Sequence, residues 1–144
     1  MKAKALPDTI QAIIEQAGGL GLSGAFTYVG ASAFLYQCER ASGECRSGTR
    51  SRLVTEKGRA SEVADVFLRF RVNGKRGRCW TMLVAYEPDD TYTVWLVDYH
   101  PKRKPAETVI DRVNDVYCDT LQGVIEHVYD QAIATHNSGF IPLS

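Results

Sequence analysis

Five basic side chains crowd around one short stretch of this sequence. Residues 71–80 read RVNGKRGRCW, and the basic residues in and beside this stretch are Arg69, Arg71, Lys75, Arg76 and Arg78. Guanidinium and ammonium groups at this density bind phosphate and carboxylate groups through charge-assisted hydrogen bonds. The segment therefore predicts a site for a polyanion, with nucleic acid as the first candidate.

A second basic run lies farther along the chain. It consists of Lys102, Arg103 and Lys104, and it follows His100 and Pro101. A histidine beside cations can act as a general acid or base in phosphodiester cleavage, so His100 defines an enzymatic alternative, a small nuclease. No nucleophile motif or phosphate-binding glycine loop accompanies this histidine. The sequence therefore favours a protein that is not an enzyme, with no catalytic residue assigned.

The four cysteines do not form a metal-binding pattern. They stand at positions 38, 45, 79 and 118 and include no CxxC pair. Three of them lie in or beside apolar runs, where a free thiol packs as a small hydrophobic group. Unpaired structural thiols are the expectation, with a Cys38–Cys45 disulfide as the alternative, and neither a metal nor a cofactor is predicted.

The charge balance points to a charged partner. The 144 residues have a net charge of zero, but residues 40–78 hold eleven Lys/Arg and four acidic residues, a net charge of +7. Residues 79–144 hold four Lys/Arg and ten acidic residues, a net charge of −6. Such asymmetry indicates an acidic partner or mutual neutralisation of the two halves. No apolar run approaches the roughly 20 residues that span a bilayer, so a cytoplasmic protein without a membrane partner is expected.

Periodicity predicts a single α+β domain over residues 1–144. Apolar spacing indicates a helix over 8–17 and a C-terminal helix ending near residue 134. Between them, β-rich runs at 31–40, 63–72, 78–87 and 91–100 predict an antiparallel meander of four to five strands packed against both helices. Residues 20–30 are interpreted as a turn leading into a strand, and 108–118 as either strand or helix. A long Gly/Ser/Arg-rich loop is predicted at about 41–62, with Ser51–Thr55 as a short strand within it.

Strand alternation then predicts which side chains share a face. A two-residue turn at Asn73-Gly74 and an even-length loop near Pro88 place the basic strand residues beside aromatic ones. The predicted face carries Phe67, Arg69, Arg71, Arg78, Trp80, Met82, Val84, Tyr86, Trp95, Val97 and Tyr99. The opposite face, with Leu68, Phe70, Leu83 and Leu96, is assigned to the core. The Arg/aromatic face itself is either covered by a helix or the first strand, with the arginines at its rim, or partly open as a binding surface. An odd-length first loop would change this assignment.

The sequence therefore predicts a small binding or accessory protein. In the first hypothesis, aromatic rings stack on bases and arginines hold phosphates of nucleic acid or another polyanion. The alternative is a protein–protein interaction module, such as an inhibitor, an assembly factor or a homodimer, that uses the same face. The proposed contact residues are Phe67, Arg69, Arg71, Lys75, Arg76, Arg78, Trp80, Trp95, Tyr99, Lys102, Arg103 and Lys104.

Overall fold

A computed structural model describes residues 7–20, 24–37, 50–64, 66–74, 79–99, 102 and 106–136 of the chain. The helices are α1 (Asp8–Gln16), α2 (Ala25–Val29) and α3 (Leu121–His136). The strands are β1 (Ser32–Gln37), β2 (Arg50–Glu56), β3 (Arg59–Ala64), β4 (Phe67–Asn73), β5 (Cys79–Tyr86), β6 (Tyr92–Tyr99) and β7 (Glu107–Val116). The α+β class and the helices near both ends are confirmed.

The seven strands form one sheet in the order β1-β4-β5-β6-β7-β2-β3. The antiparallel meander β4–β5–β6 is confirmed and continues into β7, while β2 pairs with β7 in parallel. The expected count of four to five strands is too low, partly because residues 50–64 form the hairpin β2–β3. Most of this hairpin was assigned to the long loop at 41–62, although a strand at 51–55 was expected and is confirmed. Residues 38–49 lie outside the described part.

Two further boundaries differ from the sequence prediction. Residues 25–29 form the short helix α2 instead of a turn, and Gly30, with a φ of 67°, ends it. Residues 63–72 do not form one strand, because β3 ends at Ala64 and β4 begins at Phe67. Short segments such as these carry too few residues for hydrophobic periodicity to identify them.

The main hydrophobic core lies between the three helices and one face of the sheet. Alternate residues of each central strand point into this core, as the period of two requires. Their buried members are Leu68, Phe70, Val72, Trp80, Met82, Val84, Val94 and Leu96. From the helices, Ile10, Ile13, Phe26, Leu121 and Ile125 cover them. The apolar stripe predicted for α1 therefore faces the sheet.

A second, smaller core lies on the opposite face of the sheet. Its buried members are Val54, Val63, Ala64, Phe67, Leu83, Ala85, Trp95 and Val97. β3 contacts β5, although three strands separate them in the order of the sheet. The sheet therefore curls until the β2–β3 hairpin packs over its own central strands. This curvature closes much of the face that the sequence predicts to be a binding surface.

The junction between α1 and α2 provides a test of this packing. A Cβ at Gly24 would lie 2.8 Å from the carbonyl oxygens of Gly18 and Gly19, whereas a Cβ at Gly123 would have no neighbour within 4 Å. We expect Gly24→Ala to lower the free energy of unfolding by about 2 kcal/mol, because backbone atoms must move apart. The matched substitution Gly123→Ala should raise it by up to about 1 kcal/mol through better helix propensity.

Chemical denaturation of both variants measures these two changes in one assay. If Gly24→Ala and Gly123→Ala changed the free energy of unfolding in the same direction, the close contact between the Gly18-Gly19 and Gly24 backbones would be contradicted.

Candidate functional site

The predicted orientation of β5 is wrong. In the structure Asn73 pairs with Cys79, and Tyr86 pairs with Tyr92, so each loop contains five residues instead of two or four. An odd loop reverses which residues of the next strand share a face. Two successive odd loops restore the original orientation in the third strand, so only β5 is reversed.

The second loop has an identifiable local cause. Asp90 adopts a φ of 65°, and its N–H donates to the carbonyl of Glu87. The Asp89 carboxylate accepts hydrogen bonds from both the backbone N–H and the hydroxyl of Thr91, at 3.2 and 2.6 Å. An Asp side chain that closes a turn in this way stabilises a longer loop than a two-residue hairpin.

The structure divides the predicted contact residues into three groups. Five described residues do share the face opposite the helices, namely Phe67, Arg69, Arg71, Trp95 and Tyr99. Trp80 lies on the other face, within the helix-covered core, and so do Met82, Val84 and Tyr86. Lys102 is exposed. Residues outside the described part are Lys75, Arg76, Arg78, His100, Arg103 and Lys104.

Most of the aromatic rings on the predicted list are covered. Trp80 is 0% exposed and Trp95 is 2% exposed, and Phe67 is also buried. Tyr99 is 39% exposed. Base stacking requires an open ring face, so Trp80 and Trp95 cannot provide it in this conformation. Among the predicted aromatic residues, Tyr99 offers the largest accessible ring.

Polar contacts hold the β2–β3 hairpin over the sheet face opposite the helices. The Arg112 guanidinium lies 3.0 Å from the Glu56 carboxylate and 5.0 Å from the centre of the Trp95 ring. Ser61 donates a hydrogen bond to Glu56 at 3.0 Å. Arg112 therefore joins β7, the Trp95 ring and the hairpin in one contact. Arg69 and Arg71 remain at the side of the face nearest β1.

β1 forms one edge of the sheet among the described strands. It pairs with β4 and is the terminal strand in the sheet order. Its sequence, SAFLYQ, contains no charged residue, and Phe34, Leu35 and Tyr36 are all exposed. Sequence reasoning missed this feature because an apolar strand looks the same at an edge as in the centre of a sheet.

A β-bulge shapes this edge. Ser32 pairs with Arg71 and Leu35 pairs with Arg69, so β1 has one extra residue between the two pairs. Ala33 takes up the irregularity with a φ of 53°. Phe34 packs against the rings of Phe26 and Phe70 on the helix side, with centroids 5.2 and 5.6 Å apart. Leu35 lies on the opposite side of β1, beside Arg69.

Two small cavities adjoin Arg71 at this edge. One has a volume of about 100 Å³ and is lined by Ala33, Leu35, Arg69, Phe70, Arg71 and Thr81. The other has a volume of about 220 Å³ and is lined by Ser32, Arg71, Val72, Asn73 and Gly74. The side chains of Ser32 and Ala33 are too small to fill the space beside the arginine.

A larger cleft lies at the turn between β5 and β6. Its volume is about 500 Å³, and its lining is Glu62, Glu87, Pro88, Asp89, Thr91, Thr93, Trp95, Arg112, Asn114 and Asp115. Its four carboxylates outnumber Arg112, so its electrostatic potential would favour cations. However, Glu87 and Asp89 accept hydrogen bonds from Thr93 and Thr91, which is ordinary turn chemistry. A structural role therefore accounts for two of the four carboxylates.

Several tyrosines have raised pKa values for structural reasons. Burial raises the pKa of Tyr92 to about 12, and the hydrogen bond from Tyr86 to Asp90 raises the pKa of Tyr86. A hydrogen bond to Asp130 raises the pKa of Tyr28, and burial raises that of Tyr129. Tyr129 also donates to the carbonyl of Asn73 at 2.7 Å, which fixes the end of β4 against α3. These phenols remain protonated near neutral pH and anchor the fold.

The described residues show neither a metal site nor a membrane-spanning helix. Within those ranges, no three His, Cys, Asp or Glu side chains are grouped to hold a metal ion. Cys118 is an exposed free thiol, so apolar packing does not explain it. The alternative Cys38–Cys45 disulfide lies outside the described part. No described helix is long and apolar enough to cross a membrane.

The chain was also compared with known proteins. No protein-family model, curated protein or solved structure matches it. Its function must therefore be inferred from the geometry of its own residues.

Proposed function

We propose that this protein is a protein-binding module that holds an extended segment of a partner protein beside β1. The observation that carries this proposal is that β1, the edge strand of the described sheet, has no charged residue and three exposed apolar side chains. A partner strand added at such an edge forms main-chain hydrogen bonds, while alternate side chains contact the two faces. The added segment would extend the sheet from seven strands to eight.

The two edges of the sheet differ in a way that supports this proposal. β3, at the far edge, carries Arg59 and Glu62, both exposed. Charged side chains on an edge strand discourage pairing with another chain. β1 lacks this protection over Leu35–Gln37, where its pairing with β4 is regular. Strand addition is therefore favoured at β1 over β3.

Binding to single-stranded nucleic acid, the first hypothesis from the sequence, is the second candidate. Arg69, Arg71 and Lys102 provide positive charge, and Tyr99 provides an accessible ring. However, such binding depends on several rings stacking on successive bases, and Trp80 and Trp95 are both buried. The exposed apolar strand thus makes the protein partner the stronger proposal.

A display selection followed by matched substitutions tests the proposed function. Peptides of about twelve residues, enough for a strand of five to six with flanks, would be selected from a random library on the intact protein. Leu35→Ser should weaken their binding roughly ten-fold, because part of a leucine side chain is buried on strand addition. Bound peptide should also slow hydrogen exchange of the β1 amides.

Leu20→Ser is the matched control. Leu20 is 65% exposed and Leu35 is 58% exposed, so both substitutions remove similar exposed apolar area without changing charge. Leu20→Ser should leave peptide binding unchanged. The proposal would be wrong if the selected peptides bound the Leu35→Ser variant as tightly as the original chain and left the β1 amides unprotected. Failure of the library to yield any binder would also count against it.

A further inference from the structure

We infer that the segment bound at β1 is acidic and that one of its carboxylates pairs with Arg69, beside Arg71. This inference rests on the proposed function, because it concerns the side chains of a segment that β1 would hold. Main-chain hydrogen bonds at β1 would not distinguish between segments of different sequence, whereas a carboxylate contact with Arg69 would.

Arg69 provides the first observation. Its side chain is partly buried, and its Nε atom is buried without a hydrogen-bond acceptor among the described residues. A buried cationic donor without an acceptor is unfavourable, and few such groups occur in native proteins. A carboxylate is the group that matches a guanidinium best, because two parallel N–H donors meet two oxygens. Because the Arg69 side chain as a whole is only partly buried, a partner carboxylate would satisfy it once the guanidinium turns toward the added segment.

The second observation is the space beside the two arginines. Arg69 and Arg71 both line the cavity of about 100 Å³, and Arg71 also lines the cavity of about 220 Å³. None of the described residues that line these cavities carries a carboxylate. By contrast, the cleft at the β5–β6 turn is lined by four carboxylates and one arginine. A partner carboxylate would therefore meet described lining residues that carry positive charge and no negative charge.

The geometry of β1 gives a partner side chain access to this space. A segment paired with β1 would lie two strands from β4, at a separation of about 10 Å. A long acidic side chain and an arginine side chain can together bridge this distance. Among the described residues, Ser32 and Ala33 contribute only small side chains beside Arg71, and Leu35 lies beside Arg69.

The side-chain alternation of a strand then specifies the chemistry of the segment. Phe34 lies on the helix side of β1, beside Phe26 and Phe70, and would contact apolar residues of the segment. Leu35, Arg69 and Arg71 lie on the other side. There, Leu35 would contact the aliphatic part of acidic side chains whose carboxylates lie toward Arg69. The expected partner is therefore an extended segment in which apolar and acidic residues alternate.

A double-mutant cycle with a selected peptide tests the carboxylate contact. Peptides selected on the intact protein should be enriched in Glu or Asp at alternate positions. Replacing the critical peptide Glu with Gln should weaken binding roughly ten-fold, and Arg69→Gln should weaken binding of the original peptide equally. The two changes together should cost no more than either alone, because they remove the same contact. Arg59→Gln, the same substitution at the exposed edge β3, is the control and should have no effect.

The outcomes separate the inference from the proposed function. Two results would overturn the inference and leave strand addition intact. In the first, the peptides are sensitive to Leu35→Ser but are not enriched in Glu or Asp. In the second, the effects of the peptide Glu→Gln change and of Arg69→Gln add to each other. Peptides that are insensitive to Leu35→Ser and leave the β1 amides unprotected would overturn both. An oligothymidylate probe gives the remaining test. If it displaces the peptide, binds more tightly than the peptide and loses affinity for the Arg69→Gln variant, then the arginines bind nucleic acid and the inference is wrong.

Discussion

Trp80→Ala is expected to lower the free energy of unfolding by about 3–5 kcal/mol. The side chain is fully buried between the sheet and the helices, among residues that include Phe70, Met82 and Ile125. Its removal would leave a large cavity, because the surrounding core can relax only partly. Chemical denaturation, followed by far-ultraviolet circular dichroism, measures the loss without relying on the tryptophan signal.

Tyr99→Ala serves as the comparison for this substitution. Tyr99 is 39% exposed, so its truncation should cost clearly less than that of Trp80. Iodide should also fail to quench the fluorescence of the original chain, because both tryptophans are buried. A loss below about 1 kcal/mol for Trp80→Ala, together with efficient quenching, would place Trp80 on an open face.

Val63→Asp is expected to cost roughly 4 kcal/mol. Val63 is fully buried where the β2–β3 hairpin meets the second core. An aspartate there would lose its hydration without gaining a partner on this apolar surface, so the hairpin should separate from the sheet. That separation uncovers the Trp95 ring, so the solvent exposure of Trp95 should increase in this variant.

The fluorescence of Trp95 reports this separation. In a Trp80→Phe background, Val63→Asp should shift the emission of Trp95 to longer wavelength and make the hairpin sensitive to proteolysis. Ala60→Asp places the same residue at an exposed position of the same strand and should leave both signals unchanged. Unchanged Trp95 emission in the Val63→Asp variant would mean that the hairpin does not cover this face.

Much of the secondary structure follows from local patterns. Ile10 and Ile13 mark the buried stripe of α1, and Gly18 and Gly19 end that helix with positive φ values. The β-rich runs locate β4, β5 and β6 to within a few residues. α2 is missed because its five residues, between Gly24 and Gly30, are too few to show a helical period. Most of the β2–β3 hairpin is missed because Ser and charged residues interrupt its apolar alternation.

The candidate site could be predicted only in part. Arg69 and Arg71 lie on the face that alternation predicts, together with Phe67, because they share one strand. Trp80 was assigned to that face through a loop whose length the Asn73-Gly74 signal does not fix. An error of one residue in a loop reverses every side chain of the strand that follows. The exposed edge at Leu35 could not be predicted, because edge position depends on the order of all seven strands.

The sequence by itself determined the α+β class, the two long helices, the central meander and the clustering of basic residues. These features depend on residues near one another in the chain, where apolar spacing and turn residues act directly. Only the tertiary structure decided that Trp80 is buried, that β2–β3 closes the second face and that β1 is left at the edge. Each of these depends on pairings between distant residues, whose free energy comes from packing of the whole sheet and not from any local pattern.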